Sequence, residues 1–153
     1  MKFKIKSERD TEILAKKFNH SIELPIIVGI NGELGSGKTV FVRSLIRSYK
    51  KNEKVKSPTF SLVEEYKFNK INIIHIDLYR IKKNEKNYLN YPDYITENSL
   101  IIIEWIKNDE KIMLKSDIII EINIIEKDQR EIKIEAMSIK GKRVVQSIKN
   151  VST

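Results

Sequence analysis

Gly32-Glu33-Leu34-Gly35-Ser36-Gly37-Lys38-Thr39, entered from Pro25-Ile26-Ile27-Val28-Gly29-Ile30, is the stretch that decides the fold. It fits the pattern G-x-x-x-x-G-K-[ST] at every position. Glycines let the backbone curl so that successive N–H groups point inward at phosphate oxygens. The helix that starts near Lys38 adds its positive N-terminal end. Lys38 is expected to reach the β- and γ-phosphates, and the Thr39 hydroxyl to be a magnesium ligand. A chance glycine-rich turn would lack the context seen here, an apolar run before the loop and an amphipathic helix after it. The octad therefore reads as a P-loop that binds a nucleoside triphosphate with magnesium.

Outward from the loop, the run Ile26 to Ile30 is apolar on both faces and reads as a buried parallel strand. Lys38 to Lys50 continues as a helix, with Val42, Leu45, Ile46 and Tyr49 inward. Upstream, Asp10 to Asn19 reads as a helix with Ile13, Leu14 and Phe18 on one face, capped by Ser7 or Asp10. Downstream, Phe60 to Phe68 and Ile71 to Ile76 read as strands joined by Asn69-Lys70, the length of a hairpin turn. Asn84 to Glu97 is polar and ambiguous; Tyr88, Leu89 and Tyr91 suit a short helix before Pro92. Leu100 to Glu104 is another buried strand. Asp117 to Ile125 and Arg130 to Ile139 form a hairpin around Lys127-Asp128-Gln129, with one face toward solvent, and Lys142 to Lys149 suits a short helix. This order is an α/β layer with a mixed sheet. It leaves little room for a separate lid.

The chain has 153 residues, suited to a single domain over 1–153 that buries a core without disulfides. It has no cysteine, which excludes disulfides and cysteine-based zinc sites and is compatible with a reducing, cytoplasmic setting. Met1 to Lys6 alternates charged and apolar residues, unlike a signal peptide, and no apolar run approaches a membrane span. The net charge of +8 raises the question of a nucleic-acid partner. The excess is lysine scattered along the whole chain beside abundant isoleucine and asparagine, which reads as compositional drift rather than a binding stripe.

Phosphoryl chemistry also needs carboxylates. Asp77 ends the run Ile73 to Ile76, and Glu104 ends the run Leu100 to Ile103. If these strands run parallel to Ile26–Ile30, both acids converge beside the P-loop. One would hold magnesium and the other would position a water; spacing alone leaves the assignment open. His75, inside a strand, reads as a packed core histidine, and His20 as a solvated one. Asn69-Lys70-Ile71-Asn72 lacks the aspartate of a guanine-reading N-K-x-D motif, which argues against a GTPase.

Four blocks in order resemble the TsaE family, formerly YjeE, of bacterial tRNA threonylcarbamoyladenosine biosynthesis. They are Gly32 to Thr39, Val55 to Tyr66 with its Ser57-Pro58-Thr59, His75-Ile76-Asp77-Leu78-Tyr79-Arg80, and Ile103-Glu104-Trp105. The resemblance implies a three-layer P-loop NTPase fold with a mixed, mainly parallel central sheet plus antiparallel hairpins. It implies ATP and Mg2+ as ligands, Thr39 and Glu104 as magnesium ligands, and Asp77 as the acid serving hydrolysis. Lys38 and Thr59 would join Asp77 in catalysis, Thr59 on a loop that resembles a GTPase switch I. The nucleotide would be bound by Glu33, Leu34, Gly35, Ser36, Gly37, Lys38, Thr39 and Val40, with Thr11 and Arg130 near the nucleoside and Trp105 beside the site. The implied activity is ATP hydrolysis, slow alone, that regulates a complex of TsaB and TsaD homologues, with tRNA met through that complex rather than directly and no membrane partner. Two departures stand out. The segment Lys83 to Tyr94 lacks the family's acidic helix with a central glycine, and Gln129 stands where glycine is frequent. Two other readings compete: a small-molecule kinase on the same P-loop, disfavoured by few arginines and no lid insertion, and a nucleotide-gated RNA-binding module suggested by the charge.

Overall fold

The structure is a computed structural model and describes residues 1–81 and 90–151. Its centre is a seven-stranded sheet: β1 (Lys2–Ile5), β2 (Ile26–Asn31), β3 (Val63–Phe68), β4 (Ile71–Asp77), β5 (Ser99–Glu104), β6 (Ile118–Glu126) and β7 (Gln129–Ala136). The order across the sheet is β1-β7-β6-β2-β5-β4-β3. The inner strands β6, β2, β5 and β4 are parallel, and antiparallel pairings close both edges. The expected mixed sheet with hairpin edges is therefore what forms. The inner strands are nearly continuous isoleucine, as strands covered on both faces require.

Helices α1 (Glu8–Ser21), α2 (Lys38–Tyr49) and α4 (Ile139–Asn150) share one core with the sheet face that carries Ile26, Val28, Ile30, Leu100, Ile102, Ile118 and Ile120. Leu14, Phe18, Phe41, Leu45, Val144 and Ile148 fill it, with Phe18 and Phe41 edge to face at 5.9 Å. Among the described residues the opposite face is covered thinly. A 3₁₀ turn at Tyr91–Tyr94, another at Ile106–Asn108 and the one-turn α3 (Glu110–Met113) pack there over Ile74, Ile76, Ile101, Ile103 and Ile119. Gly29 belongs to this face: a Cβ on it would lie 2.7 Å from Ile119 Cδ1 and 2.8 Å from Ile106 Cγ2. Among the described residues no helix is long and apolar enough to cross a membrane.

Several boundaries differ from the sequence reading, each for a local reason. β1 adds a strand the sequence did not announce: four residues with only Ile5 buried, held by pairing with β7. α1 starts earlier, at Glu8, because Ser7 Oγ accepts from the Asp10 N–H at 3.2 Å and the Asp10 carboxylate accepts from the Lys6 N–H at 2.8 Å. The latter bond holds the Asp10 carboxyl below its ordinary value. Ile13 is a correction: it is exposed, and Thr11, Ala15 and Leu14 take the inner face with Phe18. β3 begins at Val63 rather than Phe60, since residues 58–61 turn and Leu62 takes a left-handed φ of 66°. Pro92 lies inside its 3₁₀ turn rather than beyond it; Tyr88 and Leu89 fall outside the described residues. The last hairpin turns on Lys127-Asp128, with Gln129 already in β7, and the last helix starts at Ile139, capped by Ser138.

Candidate functional site

Strand alternation builds the site. On β4, residues 71 and 73 face the helical core, so His75 and Asp77 follow on that side. On β5, Leu100 and Ile102 face it, and Glu104 follows. The parallel register sets Asp77 opposite Glu104. Both acids therefore stand side by side at the carboxyl end of the sheet, on the face where α2 begins.

The loop leaves β2 at Gly32, where a Cβ would lie 2.6 Å from the Ile122 carbonyl oxygen. Gly35 and Gly37 take φ of 76° and 106°, the left-handed region that glycine enters freely. Gly37 is the N-cap of α2 and offers no side chain to its N–H groups, which suits that helix end to an anion. Lys38 is buried. Its Nζ donates to the Gly32 carbonyl at 2.7 Å and the Glu33 carbonyl at 2.9 Å, and lies 3.9 Å over the Trp105 ring. Burial pushes the Lys38 ammonium below its ordinary value, against the opposing pull of Glu104, Asp77 and Glu33.

Each acid is held by one hydroxyl. Thr39 Oγ1 donates to Glu104, 3.2 Å from Oε1 and 3.4 Å from Oε2. Thr59 Oγ1 donates to Asp77 Oδ2 at 2.8 Å, while the Tyr79 N–H donates to Oδ1 at 2.8 Å. Leu34, Lys38, Thr39, Thr59, Asp77, Glu104 and Trp105 line one groove of about 320 Å³. It shares Gly35, Gly37 and Val40 with a second groove of about 470 Å³, lined also by Thr11, Ser36 and Arg130. The two form an elongated surface around the loop, with the acids at one end and Thr11 and Arg130 at the other. Every residue expected from sequence lines it except Glu33, whose carbonyl accepts from Lys38 and which lines a neighbouring hollow with Asn31, Asn123 and Trp105.

Arg130 does more than line a groove. Its Nε donates to the Ser36 carbonyl at 3.2 Å and its Nη1 to the carbonyls of Glu126, Lys127 and Gln129, so it ties the last hairpin to the phosphate loop. Trp105 takes a left-handed φ of 59°, and its ring lies 5.0 Å from that of Tyr79. His75 is fully buried, as its strand position implied, yet its Nε2 lies 2.8 Å from Glu104 Oε1. That bond and the Tyr79 bond to Asp77 escaped the sequence reading. The shared parity of His75 and Asp77 was the available signal for the first.

The donor set suits a hard cation. A threonine hydroxyl beside a carboxylate supplies oxygen ligands of the kind magnesium takes. Among the described residues no group of three or more His, Asp or Glu is placed to hold a metal.

Comparison with known proteins identifies a family and a fold. Residues 5–132 match the family of threonylcarbamoyl adenosine biosynthesis protein TsaE. The tRNA threonylcarbamoyladenosine biosynthesis protein TsaE of Haemophilus influenzae is 35% identical over 129 residues, covering 84% of this chain and 81% of that protein. The protein of the same name from Aquifex aeolicus is 37% identical over 132 residues, covering 85% and 92%. The crystal structure of Bacillus subtilis YdiB superposes with a TM-score of 0.83 over 98% of this chain and 94% of the other; at 20% identity that likeness speaks to the fold.

Proposed function

The chain belongs to the TsaE family of tRNA threonylcarbamoyladenosine biosynthesis, and from that premise we propose that it binds and hydrolyses ATP to regulate a complex of TsaB and TsaD homologues. One observation carries the reading. Lys38, Thr39, Thr59, Asp77 and Glu104 line a single groove at the start of α2, with each acid held by its own hydroxyl.

In this reading the N–H groups of the loop cradle the phosphates, from Glu33 through Val40. Lys38 exchanges its bonds to the Gly32 and Glu33 carbonyls for the β- and γ-phosphate oxygens. Thr39 and Glu104 would hold magnesium, which would neutralise the charge that develops on the phosphate oxygens. Asp77 orients the attacking water and takes up its proton. Thr59 reaches Asp77 from the loop that carries Ser57 and Pro58, so the same hydroxyl links hydrolysis to the shape of that loop. Loss of the γ-phosphate would release it, the ordinary logic of a nucleotide switch. Thr11 and Arg130 border the nucleoside. Contact with tRNA runs through the partner complex.

The test is ATP hydrolysis by the chain with and without its TsaB and TsaD homologues, with threonylcarbamoyladenosine formation in tRNA followed in the same reaction. Slow turnover alone and faster turnover with both partners is expected. Phosphate transfer to a metabolite faster than to water would establish the kinase reading instead. Magnesium-ATP binding that survives the double substitution Lys38→Ala, Thr39→Ala would remove the site itself.

A further inference from the structure

Glu104 is a carboxylate buried at the inner wall of the groove, 2% exposed, at the end of the run Leu100 to Ile103. A buried carboxylate is costly unless donors satisfy and orient it. Two do so here. Thr39 approaches from the groove, and His75 from behind: His75 is 0% exposed and does not line the groove that Thr39 and Glu104 share. Its Nε2 lies 2.8 Å from Oε1, closer than the Thr39 hydroxyl at 3.2 Å.

The ring's hydrogen bonds favour one tautomer. An ionised carboxylate only accepts, so Nε2 must carry the proton. Nδ1 is buried and, among the described residues, has no hydrogen-bond partner. A proton there would be a sealed, unsatisfied donor, so Nδ1 holds a lone pair. The ring thus donates to Glu104 through Nε2 and, among the described residues, has no other polar attachment.

We propose that His75 is a positioning residue for Glu104: its Nε2–H fixes the carboxylate so that the oxygens facing Thr39 are held ready for the nucleotide's magnesium. This deepens the assignment of Glu104 made above and rests on it. The geometry has a simple origin in the fold. In parallel β4 and β5, His75 pairs with Ile102, two residues before Glu104, and the imidazole spans the offset to the acid on the neighbouring strand. A leucine or isoleucine at 75 would suit the surrounding core by polarity, but would leave Oε1 with the Thr39 hydroxyl as its sole donor among the described residues.

The first measurement is nitrogen-15 NMR of the imidazole in the unliganded chain. The expected result is a proton on Nε2 and a bare Nδ1; the opposite tautomer overturns the proposal. The second is nucleotide binding titrated against magnesium, followed by the fluorescence of Trp105, the single tryptophan, which lines the groove. Loss of an outer-shell partner lowers metal affinity by about 10- to 100-fold. His75→Leu and His75→Asn should show that loss with metal-free nucleotide binding unchanged. His75→Gln, whose amide reaches about as far as Nε2, should stay within several-fold of the parent. Equal behaviour of the Gln and Asn variants overturns the proposal, and remains decisive if His75→Leu does not fold. Glu104→Gln separates the two readings. If it leaves magnesium dependence intact, the metal assignment of Glu104 fails; if it abolishes the dependence while His75→Asn keeps it, the positioning role alone fails.

Discussion

At the scale of single residues, the two acids are distinguished by what holds them. Glu104 is gripped by a threonine inside the phosphate loop and by a core histidine, whereas Asp77 is gripped by Thr59, on a separate loop, and by the Tyr79 N–H. Asp77→Asn keeps the shape and the Tyr79 bond but removes the carboxylate proposed as the base. It should retain magnesium-ATP binding and lower partner-stimulated hydrolysis by about 100-fold or more, within the usual range for general-base loss. Full turnover in that variant would refute the role given to Asp77. Thr59→Val removes a charge-assisted bond at 2.8 Å, and a bond of that kind corresponds to about 10- to 100-fold. Steady-state phosphate release should therefore rank parent, Thr59→Val, Asp77→Asn, with Thr59→Ser near the parent. Lys38, Thr39, Asp77 and Glu104 were all legible in the chain, because a glycine-bounded octad is local and an acid at the end of an apolar run is a periodicity signal. The bonds of His75 and Arg130 were not. They depend on strand register and on which carbonyls a hairpin presents, and neither is written in any local pattern.

At the scale of elements, what could be read followed the same division. The isoleucine runs announced β2, β4 and β5, since a strand buried on both faces has no polar alternation to obscure it. β1 escaped because four residues with one buried side chain exist only through pairing with β7. The thin face of the sheet escaped for a related reason: 3₁₀ turns and a one-turn helix have no period to detect. That face makes a sharp prediction at Gly29. Its missing Cβ leaves room for Ile106 and Ile119, and overpacking of this kind costs about 1–3 kcal/mol. Gly29→Ala should shift the urea midpoint accordingly, and an unshifted midpoint would mean that the turn carrying Ile106 moves freely. The α1–α2 pair makes another. Tyr49 donates to Asn19 across the two helices and stacks on Phe68 at 5.5 Å, and burial pushes its phenol up to about 12. A raised acid is the neutral form preferred by the fold. Its stabilisation is complete below the unfolded value of about 10 and is lost as pH rises from there through the folded value. Urea unfolding near pH 9 and near pH 11 should therefore show a larger alkaline loss for the parent than for Tyr49→Phe; equal losses would contradict the burial of that phenol.

At the scale of the whole molecule, the site draws on parts far apart in the chain: Thr11 from α1, the loop between β2 and α2, Asp77 and Glu104 from the inner strands, and Arg130 from the last hairpin. No single segment can form it, so a ligand that bridges these parts binds the folded chain and not the unfolded one. Linkage then gives the size of the effect. Magnesium-ATP at 100 times its dissociation constant would add about 2.7 kcal/mol to stability. For a chain of this length each kcal/mol moves the melting midpoint by about 2–4 °C, so saturating nucleotide should raise it by about 5–10 °C. Lys38→Ala should melt near the parent without ligand, since the cost of burying the Lys38 ammonium offsets its two carbonyl bonds and ring contact, and should lose the rise. Arg130→Ala should behave differently. It removes bonds that tie the hairpin to the Ser36 carbonyl even in the free chain, so its midpoint should fall before any nucleotide is added, while part of the rise remains because the phosphate end of the groove is intact. The pair of variants thus separates a residue that waits for ligand from one that already holds the loop. An Arg130→Ala chain with an unchanged free midpoint and no rise would reverse that assignment, making the nucleoside end rather than the phosphate end the main source of binding.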